Sequence, residues 1–170
     1  ISVAKAYDVT CKFDGSVPPA CNPITITPIT QANELVNFVG QPANYIDNIT
    51  VFIYFDQNFV LNYIPTDVFN HMINIQDFTS QNASISTVTT DAFVKCQNLN
   101  YITMFFELFT HLPASFAGQC YNLLTLNIYN SNLKTIDENA FKGLFSLNSL
   151  TLRDNQIECL QPLLFQDNKG

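Results

Sequence analysis

The side chains that could do chemistry are few. Five cysteines, Cys11, Cys21, Cys96, Cys120 and Cys159, occur without a CxxC pair or a Cys/His spacing that would hold zinc. Histidine is limited to His71 and His111, and neither has a nucleophile nearby in sequence at a useful spacing. No HExxH, GxSxG, GxGxxG, phosphate-loop or EF-hand pattern is present. Asp137, Glu138 and Asp154 read as ordinary solvated carboxylates. The sequence therefore points away from an enzyme and calls for no cofactor and no metal. What remains is thiol oxidation and glycan attachment. Two sequons, Asn48-Ile49-Thr50 and Asn82-Ala83-Ser84, beside these cysteines favour an oxidising setting and a secreted, extracellular glycoprotein. The chain does not begin with Met, and Ile1 reads as lying near a processed N-terminus.

The elements that position these residues recur at a fixed interval. Leu150-x-Leu152-x-x-Asn155-x-Ile157-x-x-Leu160 runs on to Phe165, and the same pattern starts at Leu126, Ile102 and Phe78, each 24 residues earlier. A copy one residue longer starts at Ile53 and reaches Phe69. An apolar anchor, Ile75, Leu99, Leu123 or Leu147, precedes each of the four later copies. This is the LxxLxLxxNxL pattern of leucine-rich repeats, whose period is roughly 20–29 residues. Each L-x-L pair lies on one face of a short strand. The copies predict a solenoid: a curved parallel β-sheet on the concave side, and a convex side of irregular, 3-10 or short helical segments. Phe69, Phe93, Phe116, Phe141 and Phe165 are expected to pack inside, because no copy can bury its apolar face alone. The Asn position is ragged, reading Asn58, Ala83, Glu107, Ser131, Asn155. Ala83 has no polar group to offer, so its turn is expected to be irregular or to recruit water.

Residues 49–170 carry about five repeats, and residues 1–48 do not fit them. The first segment reads as an N-terminal cap stapled by Cys11–Cys21, its strands shielding the first sheet edge. The other end stops part-way through a repeat, which suggests a longer natural protein or a partner covering that end. Cys96 and Cys120 occupy matching places in adjacent copies. Adjacent strands lie ~4.8 Å apart and a disulfide wants Cα atoms ~5.5–6 Å apart, so a bridge is favoured over two buried free thiols. Cys159 is left over, with either a partner beyond residue 170 or an intermolecular bond.

The segments Ile64-Pro65-x-Asp67-x-Phe69, Ile136-Asp137-Glu138-Asn139-Ala140-Phe141 and Leu150 to Ile157 make the chain resemble secreted insect leucine-rich repeat proteins. These include mosquito immune proteins and Toll-type receptor ectodomains. The resemblance implies protein ligands bound on the concave sheet or at a solenoid end, in innate immunity or extracellular signalling.

The residues flanking each L-x-L pair face the concave side, and among them Phe52, Tyr54, Tyr101, Phe105 and Tyr129 are large aromatics, with Arg153 in the last row. Aromatics and Arg are enriched at interfaces, although aromatics also suit strands for their own sake. Apolar residues make up 47% of the chain and charged residues 12%, while the net charge is −7. No apolar run is long enough to cross a membrane, and no basic cluster invites nucleic acid. The expectation is a protein-binding module with a protein ligand, no nucleic acid and no membrane insertion, with a dimer or hetero-complex left open. The alternative is a structural or adhesion module that self-assembles through its uncapped end or Cys159.

Overall fold

The computed structural model describes residues 6–12, 20–25, 35–39 and 52–168, with side-chain environments from Tyr54 onward. Three strands come first: β1 (Ala6–Lys12), β2 (Ala20–Thr25) and β3 (Leu35–Val39). The repeats then contribute β4 (Phe52–Phe55), β5 (Asp77–Gln81), β6 (Tyr101–Phe105), β8 (Thr125–Tyr129) and β10 (Ser149–Thr151). Between these lie a short helix α1 (Val68–His71) and two two-residue strands, β7 (His111–Leu112) and β9 (Thr135–Ile136).

Among the described residues the main sheet has eight strands in the order β10-β8-β6-β5-β4-β2-β1-β3. From β4 to β10 every pairing is parallel, and Ile53, Phe78, Ile102, Leu126 and Leu150 stand opposite one another in successive strands. The 24-residue period is therefore the register of the sheet. The first copy carries its extra residue without losing that register. At the other side β2 runs parallel to β4, with Cys21 opposite Ile53, and β1 pairs antiparallel with β2. The Cys11 and Cys21 side chains, the Phe52 side chain and the sequon at Asn48 lie outside the described residues.

Burial alternates along β5, β6 and β8, so Phe78, Ser80, Ile102, Met104, Leu126 and Ile128 face the core. Behind them Phe69, Phe93, Phe116 and Phe141 are fully buried. Phe93 meets Phe69 at 5.2 Å, Phe78 edge-on at 5.1 Å and Phe116 at 6.1 Å. Phe165 departs from the expectation: it stacks on Phe141 at 5.5 Å but stays 44% exposed. Among the described residues no further copy covers it, and Leu160 and Leu163 are exposed beside it in sequence.

In the main sheet β5, β6 and β8 are each followed directly by a residue in the left-handed region, Asn82 (φ 53°), Phe106 (φ 59°) and Asn130 (φ 50°), and Asp154 (φ 55°) holds the matching place after β10. Asn and Asp tolerate that conformation because their short polar side chains bond locally. The backbone N–H groups of Asn82, Phe106 and Asn130 each donate to the next copy, at the carbonyls of Phe105, Tyr129 and Arg153. The convex return is rich in turns. There β7 pairs with β9, and Tyr63 bridges to Thr87. The Cys96–Cys120 bridge is formed, with Cα atoms 4.8 Å apart.

The gap in the Asn column at Ala83 is filled from the next copy. The Ala83 turn is irregular, with Ser84 at φ 63°, but a carboxylate from the next copy satisfies its backbone. Glu107 Oε1 accepts from the Ala83 N–H at 3.1 Å, and Oε2 accepts from the Ile85 N–H at 2.8 Å. The Glu107 N–H in turn donates to Ser131 Oγ at 3.0 Å. Asn155 Nδ2 donates to the carbonyls of Ile128 and Leu152. Burial pushes the Glu107 carboxyl above its ordinary value, opposed by the Ile85 and Ala83 N–H groups and by the otherwise unpartnered Ser80 hydroxyl.

Candidate binding surface

Three rows cross the concave face because the strands are in register. Asp77 and Tyr101 form one, with Phe52 at the matching register position on β4, and Tyr54, Thr79, Thr103 and Asn127 form the second. The third runs along the strand ends through Gln81, Phe105 and Tyr129. Tyr101 and Phe105 sit four residues apart on one strand, about 13 Å at the usual rise, so the aromatic candidates fall into separate patches.

The strand-end row is the more organised. Phe105 stacks on Tyr129 with ring centroids 5.1 Å apart and planes 11° from parallel. The Arg153 guanidinium lies 5.1 Å from the Tyr129 centroid, within cation–π range, and also contacts Asp154 at 3.1 Å. Two rings and a planar cation from three consecutive copies thus form one continuous strip. Phe106 extends it, 5.6 Å from Phe105 and 48% exposed. Phe106 and the equally exposed Leu108 are not among the residues that the sequence pattern singled out. The signal for Phe106 was present: a bulky aromatic occupies a column otherwise held by Asn82, Asn130 and Asp154.

The remaining rows are more polar. The Tyr54 hydroxyl donates to Gln81 Oε1, and burial, with the Asp56 charge second, raises the Tyr54 pKa. Thr79 Oγ1 donates to Asp77 Oδ1 at 3.1 Å. Burial raises the Asp77 pKa, and the Thr79 hydroxyl pulls it down. Tyr101 is exposed, and Asn127 Nδ2 donates to Thr103 Oγ1 at 3.4 Å.

On the convex side stacking joins residues that are distant in sequence. His111, which has no nucleophile near it in sequence, lies with Nδ1 2.9 Å from Thr135 Oγ1 and Nε2 3.5 Å from Asp137 Oδ2. The 24-residue step brings these together. The His111 and Asp137 side chains are each about half exposed, so water solvates both. Asp137 also accepts from the Ala114 N–H at 3.0 Å, so the group works as a tie between adjacent copies. Among the described residues no cluster of three or more His, Cys, Asp or Glu could hold a metal ion. No helix among them is long and apolar enough to cross a membrane. Asn82 is exposed, and Cys159 is an exposed free thiol.

The BspA-type leucine-rich repeat region matches residues 45–170 in six copies. The chain belongs to this leucine-rich repeat family. No curated protein matches it significantly. Among solved structures, an LRIM1/APL1C complex is similar at 17% identity and TM-score 0.65, covering 95% of this chain and 33% of that one. An APL1 leucine-rich repeat domain is similar at 15% identity and TM-score 0.60, covering 96% and 47%. A TLR13–ssRNA13 complex is similar at 19% identity and TM-score 0.60, covering 78% and 19%. This leucine-rich repeat chain thus spans less than half the length of each. At these identities the likeness concerns the fold.

Proposed function

We propose that this leucine-rich repeat chain is a secreted recognition module, not an enzyme, that binds a protein partner through its concave sheet in innate immunity or extracellular signalling. The observation that carries the reading is the strip of Phe105, Tyr129 and Arg153, extended by Phe106. Stacked aromatics with an Arg are the residue types that dominate interface energies. Their preset geometry lowers the entropy cost of association. Tyr54, Tyr101 and Phe52 would supply flanking contacts. The net charge of −7 favours a protein over nucleic acid. Similar folds in the LRIM1/APL1C and TLR13–ssRNA13 complexes are engaged with a leucine-rich repeat partner and with RNA respectively, which supports a binding role for such a solenoid. In this reading β1–β3 cap the first repeat, and Asn48 and Asn82 carry glycans.

The test is capture of partners from native extracellular fluid, followed by affinity measurement with Tyr101, Phe105 and Tyr129 replaced by alanine. A large loss of affinity is expected, and unchanged affinity in all three variants would remove the concave surface from the account. A second reading, assembly through the last repeat, is favoured by the exposure of Leu160, Leu163 and Phe165 together with the free thiol of Cys159. It predicts a covalent dimer on a non-reducing gel that collapses with reductant.

A further inference from the structure

On the convex side the turns of successive copies leave a cleft of about 660 Å³ that the concave reading does not use. One wall is aromatic. Tyr121 and Phe145, 24 residues apart, lie with ring centroids 6.0 Å apart and planes 16° from parallel, and Phe145 is 60% exposed. The rest of the lining is polar: Asp91, Asp167, Lys142, Ser115 and Gln119. Among the described residues Asp91, Asp167 and Lys142 form no ion pair. The cleft is built rigidly. Asp91 (φ 56°), Ser115 (φ 54°) and Gly143 (φ 89°) hold left-handed backbone at its rim, and a Cβ on Gly143 would overlap the Gly118 carbonyl. The Cys96–Cys120 bridge ties together two of the copies that contribute to it, Cys120 directly preceding Tyr121.

We infer that this cleft binds a neutral saccharide. A sugar ring has an apolar C–H face, which fits the aromatic wall. Its edge carries hydroxyls that both donate and accept, which fits carboxylates, an amide, a hydroxyl and an ammonium together. The charges narrow the class. Two carboxylates against one ammonium make the cleft net negative, so it disfavours sulfated or uronic sugars and the phosphates of nucleic acid. A basic peptide would meet Lys142, and an apolar one would desolvate three charges without partners. The cleft shares no lining residue with the concave strip.

The experiment titrates the full chain with neutral tetrasaccharides: glucose in β-1,4 and β-1,3 linkage, N-acetylglucosamine and mannose. A heparin tetrasaccharide and a single-stranded RNA serve as anionic comparisons. Binding is read by calorimetry and by saturation-transfer NMR. At least one neutral probe is expected to bind, weakened about tenfold by Phe145→Ala or Tyr121→Ala, which corresponds to loss of an aromatic contact. Tyr129→Ala, on the concave face, is expected to leave saccharide binding unchanged. Absence of binding to every neutral probe overturns the inference. So does binding that Phe145→Ala and Tyr121→Ala both leave intact, or preferential binding of heparin or RNA that these variants abolish. Near-native unfolding curves for both variants establish that any loss is local.

Discussion

Replacing Glu107 with alanine tests whether a carboxylate does the work of the missing side chain at position 83. The wild-type carboxylate accepts from two buried N–H groups, those of Ala83 and Ile85. Leaving a buried donor unsatisfied costs about 1–3 kcal/mol, so two orphans amount to roughly 2–6 kcal/mol. Removing the buried charge gives part of this back, since burial already disfavours ionised Glu107. The expected net loss at neutral pH is about 2–4 kcal/mol. In a domain of this size it corresponds to a fall in Tm of roughly 5–15 °C. Glu107→Gln keeps one acceptor and turns an NH2 toward the other donor, so about half that loss is expected. The pH dependence supplies a second readout. Folded Glu107 has a raised pKa, so the native state binds this proton more readily than the unfolded chain does. Its contribution is therefore fully present below the unfolded value of about 4.3 and is lost as pH rises through the raised folded value. The wild type should gain on Glu107→Gln as pH falls from neutral toward that window, the other carboxylates being common to both. Chemical denaturation and differential scanning calorimetry across this range measure both effects. A Tm for Glu107→Ala within about 1 °C of wild type, or a gap to Glu107→Gln that narrows on acidification, would refute the reasoning.

Three further outcomes follow from the same geometry. Phe106→Asn places a residue suited to left-handed backbone at φ 59°, and is expected to raise stability by about 0.5–1 kcal/mol in urea unfolding while weakening partner binding; a drop in stability contradicts the strain argument. The double variant Cys96→Ala/Cys120→Ala removes a bridge spanning 24 residues, and is expected to lower unfolding free energy by about 3 kcal/mol; a non-reduced wild type no more stable than the variant would count against it. Gly143→Ala combines φ 89° with the clash at Gly118, and thermal unfolding should show a loss of more than about 1 kcal/mol.

The periodicity made the sheet legible because each apolar residue of an L-x-L pair has one place to go once neighbours stack. The opposition of Phe78, Ile102, Leu126 and Leu150 and the Cys96–Cys120 pairing follow from a step of 24, and Ile53 joins the same row across a first copy one residue longer. What escaped the reading depends on one copy compensating for another. Ala83 looked like a gap, and the longer side chain at Glu107 fills it from the next copy. Asn98 and Asn122 donate to the carbonyls of Ile73 and Gln97 at 2.9 and 2.7 Å, ties that no local pattern announces. His111, Thr135 and Asp137 are likewise joined only by stacking. Phe106 was hidden for the opposite reason: its position favours Asn or Asp, and its departure shows only when columns are compared for backbone conformation as well as apolarity. Phe165 follows the pattern but lacks a covering copy among the described residues, so pattern alone overstated its burial.

Hydrogen–deuterium exchange of the free chain and of its captured complex tests the docking claim most directly. Protection on binding should concentrate in residues 101–106 and 125–130 and extend to the segment around Arg153, where the stacked strip lies. Protection confined to residues 157–168, or to the convex turns, with the concave strands exchanging as in the free chain, would contradict it.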